Sequence, residues 1–127
     1  MIVPGIYIIS GLAPQVPALG DNAYFGLSVH PEKRLATHQR LMAKNQHPNE
    51  LMQDFYNEHG CDQFIYGIVE ACDVDQLAAR ERHHIAQGRT YLNPKGFNLT
   101  AGGEGAGQRG GKFFSFEDQD NGLFITG

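Results

Sequence analysis

The chain has 127 residues, 41% of them apolar and 19% charged, enough for one domain with one core and ordinary for a globular protein. No apolar run approaches the roughly 18 residues a membrane span needs, and no basic stretch precedes a hydrophobic one at the start, so neither a span nor a signal peptide is expected. A net charge of −4 argues against a wide basic surface for nucleic acid, and two cysteines, Cys61 and Cys72, are too few for a disulfide framework and suggest a reducing, cytoplasmic setting.

The charge is unevenly spread. Residues 76–112 hold Arg80, Arg82, Arg89, Lys95, Arg109 and Lys112 against Glu81 and Glu104, whereas Glu117, Asp118 and Asp120 near the end have no base among them. Any polyanion site is therefore expected near the third helix and the loop that follows it.

Ile2 to Ile9 is an isoleucine-rich strand-like run, and after a loop holding Pro14, Pro17, Gly20 and Asp21 a second runs from Ala23 to Val29. A loop between two such runs suggests an antiparallel pair. In the second, Phe25, Leu27 and Val29 alternate with Tyr24, Gly26 and Ser28, and in the first Tyr7 shares a face with Gly5 and Ile9. Tyr7 and Tyr24 beside glycines read first as simple sheet aromatics.

A helix is predicted from Pro31 to Lys44, with Leu35, His38 and Met42 on its apolar stripe and Arg34 one turn before His38. A lone inward histidine is most often a satisfied core residue. After Asn45, Gln46 and His47, a second helix buries Leu51, Phe55 and Tyr56 and stops at Gly60; Phe64 to Val69 reads as a third strand.

The third helix carries one anomaly. Val74, Leu77, Ala78, Glu81 and Ile85 form a single stripe at helical spacing, and Asp73 with Gln76 makes a capping-box pattern that fixes its phase, so Glu81 points inward. An unpaired charge there costs several kcal/mol. A structural ion pair with an arginine meets that requirement, and so does a metal or catalytic site.

Tyr91 to Leu99 is coil, and glycines dominate from Ala101. Gly105, Gly107 and Gly110 spell GxGxxG, but no strand precedes them and no helix start follows, and Lys112 is followed by Phe113, so neither a dinucleotide loop nor a P-loop is indicated. A zinc site from His59, Cys61, Cys72 and His83 or His84 lacks the usual close ligand pairs.

The inward set of Glu81, His38, Arg34 and two tyrosines suits phosphodiester hydrolysis. Mg²⁺ is commonly held by one or two carboxylates, with water and substrate phosphate completing its shell; an arginine offsets developing charge, and a base takes the proton of the attacking water. A tyrosine can be that base only where neighbours favour its phenolate.

The order Gly5, Ile6, Tyr7, then Tyr24, Phe25, Gly26, then Arg34 and His38, then Glu81 and Asn98 resembles the GIY-YIG nuclease family over about residues 3–107. The resemblance implies an α/β fold of the α+β type, a small three-stranded antiparallel sheet flanked by helices, over residues 1–107, with a Gly-rich linker and short tail at 108–127. It implies Tyr7 as general base, Tyr24 and Arg34 as supports for base and phosphate, and Glu81 as the metal ligand for Mg²⁺ or Mn²⁺. His38 would assist proton handling or phosphate contact, and Asn98 would position the loop at the site. His47 stands where some members also carry a histidine.

The stretch Gly96 to Gly105 is most similar to the homing, phage and mobile-element branch, in which a separate region reads the DNA. The expected function is thus a metal-dependent endonuclease hydrolysing DNA phosphodiester bonds, aided by a DNA-targeting domain or protein. A repair or branched-DNA nuclease and a non-catalytic DNA-binding or interaction module are the alternatives. The chain departs from the pattern in reading YFG for YIG, in a longer loop between the first two motifs, and in having no recognisable DNA-reading module after Gly111.

Overall fold

The computed structural model describes residues 2–12 and 19–103. The GxGxxG stretch and the tail at 108–127 lie outside the described residues. Three strands, β1 (Gly5–Gly11), β2 (Ala23–Ser28) and β3 (Phe64–Ala71), form one antiparallel sheet in the order β2-β1-β3. Among the described residues three α-helices accompany it, α1 (Pro31–Ala43), α2 (Glu50–His59) and α3 (Leu77–Gly88). This is the α+β arrangement expected from the sequence, and no described helix is long and apolar enough to cross a membrane.

β1 is apolar almost throughout because it is the central strand with both faces covered. Tyr7 and Ile9 join Leu35 and Met42 of α1, Met52 of α2, Phe64 and Phe97 in the main core. The other face, with Ile8 opposite Phe25 in register, is met by α3, whose His84 stacks on the Phe25 ring. The ladder to β3 slips between Ile6 and Tyr7: Ile6 pairs with Glu70 and Tyr7 with Ile68, leaving Val69 as the extra residue of a bulge.

Several expectations are corrected. β1 starts at Gly5, not Ile2, because Pro4 has no N–H to extend the ladder; Ile2 and Val3 are exposed, and Pro4 contributes only its carbonyl, to Cys72 N–H. Leu51 is exposed and Met52 is buried in its place. Asn49, as N-cap with its side-chain oxygen accepting from Met52 N–H, sets a helix phase one residue from the expected one. Phe55 and Tyr56 are half-buried. Val74 is 58% exposed, because Val74–Gln76 is a 3₁₀ turn whose tighter winding rotates it off the stripe. The Asp73–Gln76 capping box is present, and Leu77, Glu81 and Ile85 are buried as expected.

Candidate active site

The sheet register brings the two tyrosines together. Tyr7 pairs with Gly26, and Tyr24 lies one step along the same face, with ring centroids 6.2 Å apart. Gly26 leaves room for the Tyr7 phenol; a Cβ there would overlap its ring and hydroxyl. His38 reaches up from α1, its Nε2 2.7 Å from the Tyr7 hydroxyl and its ring edge-on to Tyr24. One turn of α1 separates Arg34 from His38, and its guanidinium acts on the whole group. Together with burial, which is the larger cause, Arg34 pushes His38 well below the usual histidine range and His47 down to about 4. Both imidazoles are therefore neutral at pH 7.

Tyr24 is held as a phenol. Burial raises its pKa most, the charges of Tyr7 and Glu81 raise it further, and Arg34 opposes them. It also hydrogen-bonds Tyr7, so the Tyr7 oxygen sits between a phenol and an imidazole. Those are two neighbours of the kind that favour a phenolate.

Glu81 comes to this group from α3. It is 8% exposed, and its Oε1 accepts the Gly103 backbone N–H at 2.6 Å. Gly102 and Gly103 both have φ near +90°, a conformation that side chains disfavour, and a Cβ on Gly102 would crowd both Ile85 and the Glu81 carboxylate. The glycines after Ala101 thus serve, at their start, to wrap a turn over Glu81. Arg80, on the same helix, is engaged elsewhere: its Nε donates to both oxygens of Glu70, which also bonds His84.

Asn98 acts on β2. Its Nδ2 donates to Phe25 C=O and its Oδ1 accepts from Phe25 N–H, so one side chain imitates a neighbouring strand, while Thr90 Oγ1 donates to the same Oδ1 at 2.7 Å. Phe97 N–H extends the pairing to Ala23 C=O. Phe97 and Asn98 therefore hold the strand on either side of Tyr24, Asn98 through the backbone of Phe25. Of the sequence-derived residues, Tyr7, Tyr24, Arg34, His38 and Glu81 form one cluster, and Asn98 stands behind it.

His47 joins the cluster, and the two residues that hold it, Asn49 and Gln53, were not foreseen. His47 Nε2 is 2.7 Å from His38 Nδ1, and the His47 Nδ1 accepts the backbone N–H of Asn49. Gln53 accepts the His47 N–H and donates to Met42 C=O. Asn49 donates its side-chain amide to Phe97 C=O, linking α2 to the segment that bears Asn98. Asn before an acidic first turn signals an N-cap, but nothing in the sequence says that this cap faces a histidine.

Among the described residues no three of His, Cys, Asp and Glu converge. The zinc reading finds no support, since exposed Cys61 bonds Asp62, His59 packs on Phe55 and His84 bonds Glu70. Among the described residues one buried carboxylate, Glu81, is left, and a lone carboxylate could hold a cation only where water and other oxygen donors complete its shell. A groove of about 640 Å³ lined by Arg82, Ile85, Arg89 and Tyr91 opens next to Ala101, close in sequence to the turn over Glu81.

No family model matches the chain, and no curated protein does. Solved structures do. The catalytic domain of the homing endonuclease I-TevI is similar with a TM-score of 0.63 at 25% identity, covering 76% of this chain and 98% of that one. A glutamate-to-alanine mutant of the catalytic domain of intron endonuclease I-TevI gives a TM-score of 0.65 at 24% identity, covering 79% of this chain and 96% of that one.

Proposed function

We propose, from the GIY-YIG nuclease fold that this chain carries, that it is an endonuclease domain hydrolysing DNA phosphodiester bonds with a divalent metal, of the homing or mobile-element type. The observation that carries the reading is the cluster itself: Tyr7 bonded to His38 and Tyr24, with Arg34 and Glu81 acting on the same group.

In this reading Tyr7, as phenolate, accepts the proton of the attacking water. His38 and Tyr24 stabilise that phenolate with hydrogen bonds, and both stay uncharged, so neither competes for the proton at neutral pH. Arg34 offsets the charge that builds on the phosphoryl oxygens. Glu81 would hold Mg²⁺ or Mn²⁺, which when bound polarises the phosphoryl group and stabilises the leaving oxygen; the Gly103 N–H fixes the carboxylate without neutralising it. Asn98 keeps Tyr24 at its station through β2. Arg82 and Arg89 give the groove next to Ala101 a positive charge that suits a DNA backbone. With an overall charge of −4, firm DNA binding falls to a separate DNA-targeting domain or protein.

Incubation with supercoiled plasmid and Mg²⁺ or Mn²⁺ at low salt tests the reading. Nicking or linearisation that EDTA stops is expected. Plasmid bound in a gel shift but left intact in either metal would favour a binding module instead.

A further inference from the structure

The histidine pair beneath Tyr7 has a direction, and a backbone amide outside the catalytic cluster sets it. An amide N–H can only donate. Asn49 N–H points at His47 Nδ1 at 3.0 Å, so that nitrogen carries a lone pair, and the only proton on this neutral ring is on Nε2. His47 Nε2 faces His38 Nδ1 at 2.7 Å; it donates, and His38 Nδ1 accepts. The His38 proton is then on Nε2, 2.7 Å from the Tyr7 oxygen. Each link follows from the one before, with no choice left after the first.

We propose that Asn49 is a positioning residue whose backbone N–H locks His47 and then His38 in the Nε2–H tautomer, so that His38 is a hydrogen-bond donor to Tyr7 and not an acceptor of its proton. The lock is well anchored. The Asn49 side chain caps α2 at Met52 N–H and bonds Phe97 C=O, and Gln53 holds the His47 backbone N–H at 3.0 Å. Both rings are buried, 3% and 8% exposed, so water has little access to offer an alternative partner.

The proton bookkeeping follows. For the pair to take the Tyr7 proton, His38 would have to pass its own along and His47 would end with a proton on Nδ1, facing the Asn49 N–H, two donors head to head in a buried site. The Tyr7 proton therefore does not enter the histidine pair, and neither does the proton later taken from water by the phenolate. Both histidines keep theirs throughout. The Tyr7 oxygen, receiving an N–H from His38, has its anion stabilised by a group that never changes charge.

The catalytic meaning of this rests on the endonuclease reading, but the tautomers do not. Long-range ¹H–¹⁵N correlation spectra of the ¹⁵N-labelled full chain at pH 7 read the protonated nitrogen of each ring directly. The expected result is protonated Nε2 and bare Nδ1 in both His38 and His47, unchanged in Tyr7→Phe, because the order is set from the Asn49 end. A proton on Nδ1 of either ring, or a tautomer of His38 that inverts in Tyr7→Phe, overturns the proposal. A chain that shows the expected tautomers yet cuts no DNA contradicts the endonuclease reading alone; an active chain with Nδ1–H contradicts this proposal alone.

Discussion

Replacing Asn98 by alanine should unfasten β2 before it touches any chemistry. The change removes three hydrogen bonds, with Phe25 N–H at 2.9 Å, Phe25 C=O at 3.0 Å and the Thr90 hydroxyl at 2.7 Å, and leaves those half-buried or buried groups without their partner. At roughly 0.5–1.5 kcal/mol net for each bond, the loss is about 2–4 kcal/mol. For a domain of this size that lowers Tm by on the order of 10 °C or more. The Asn98 backbone bond to Thr90 C=O survives, so the segment itself stays in place. Asn98→Asp keeps the acceptor but turns a second oxygen toward Phe25 C=O, and it should be no more stable than the alanine variant. Urea denaturation of wild type and both variants, with cleavage measured where each is fully folded, gives the comparison. If Asn98→Ala unfolds within about 0.5 kcal/mol of wild type yet loses cleavage, Asn98 meets the substrate directly and the strand-mimic argument is wrong.

Other consequences are open to similar measurement. Gly26→Ala pushes a methyl into the Tyr7 ring and should cost about 1–3 kcal/mol along with most of the cleavage rate, while Gly67→Ala, where a Cβ meets only an Ile8 methyl at 4.0 Å, should change neither; equal rates in the two variants would remove the reason given for Gly26. Glu81→Gln keeps an oxygen for Gly103 N–H, so it should melt close to wild type while metal-dependent cleavage falls about 100-fold or more, the scale of losing one electrostatic contact in a transition state; wild-type cleavage would dismiss the metal-ligand role. Acid should weaken the fold through His47. Its pKa is depressed from 6.5 in the unfolded chain to about 4 in the fold, so its contribution is complete above pH 6.5, declines as the pH falls from there through 4, and amounts to about 3 kcal/mol. Urea midpoints at pH 7, 5.5 and 4 should show this decline, and His47→Gln should make it shallower while buried His38, whose pKa is also lowered, keeps the remainder; an unchanged slope in that variant would remove His47 as a contributor.

Much of this was readable in advance, and for physical reasons. Glu81 stood out because a capping box fixed the phase of its helix, and an inward carboxylate has few tolerable explanations. Tyr7, Tyr24 and His38 could be placed because strand alternation and helical spacing decide which side chains face inward. What escaped was whatever depends on contacts between distant segments or on the backbone itself. Met52 took the place of Leu51 because one N-cap bond rotated α2 by one residue. The hold on Glu81 comes from a backbone N–H in a turn that glycines permit, and a backbone donor has no letter in the sequence. Likewise Asn49 and Gln53 look like ordinary helix-start residues until the fold sets them against His47. Asn98 was expected to position a loop; the structure shows it holding a strand.

The central claim is that the Tyr7 oxygen does the proton work at a metal-assisted phosphodiester site. Its most direct test is the single-turnover rate of plasmid cleavage by Tyr7→Phe beside wild type at saturating Mg²⁺, with folding checked by thermal melt. Removing one oxygen from a ring that otherwise fills the same space should leave the protein folded and slow cleavage by about 100-fold or more, the range for loss of a general base. A folded Tyr7→Phe that cuts at the wild-type rate would contradict the account.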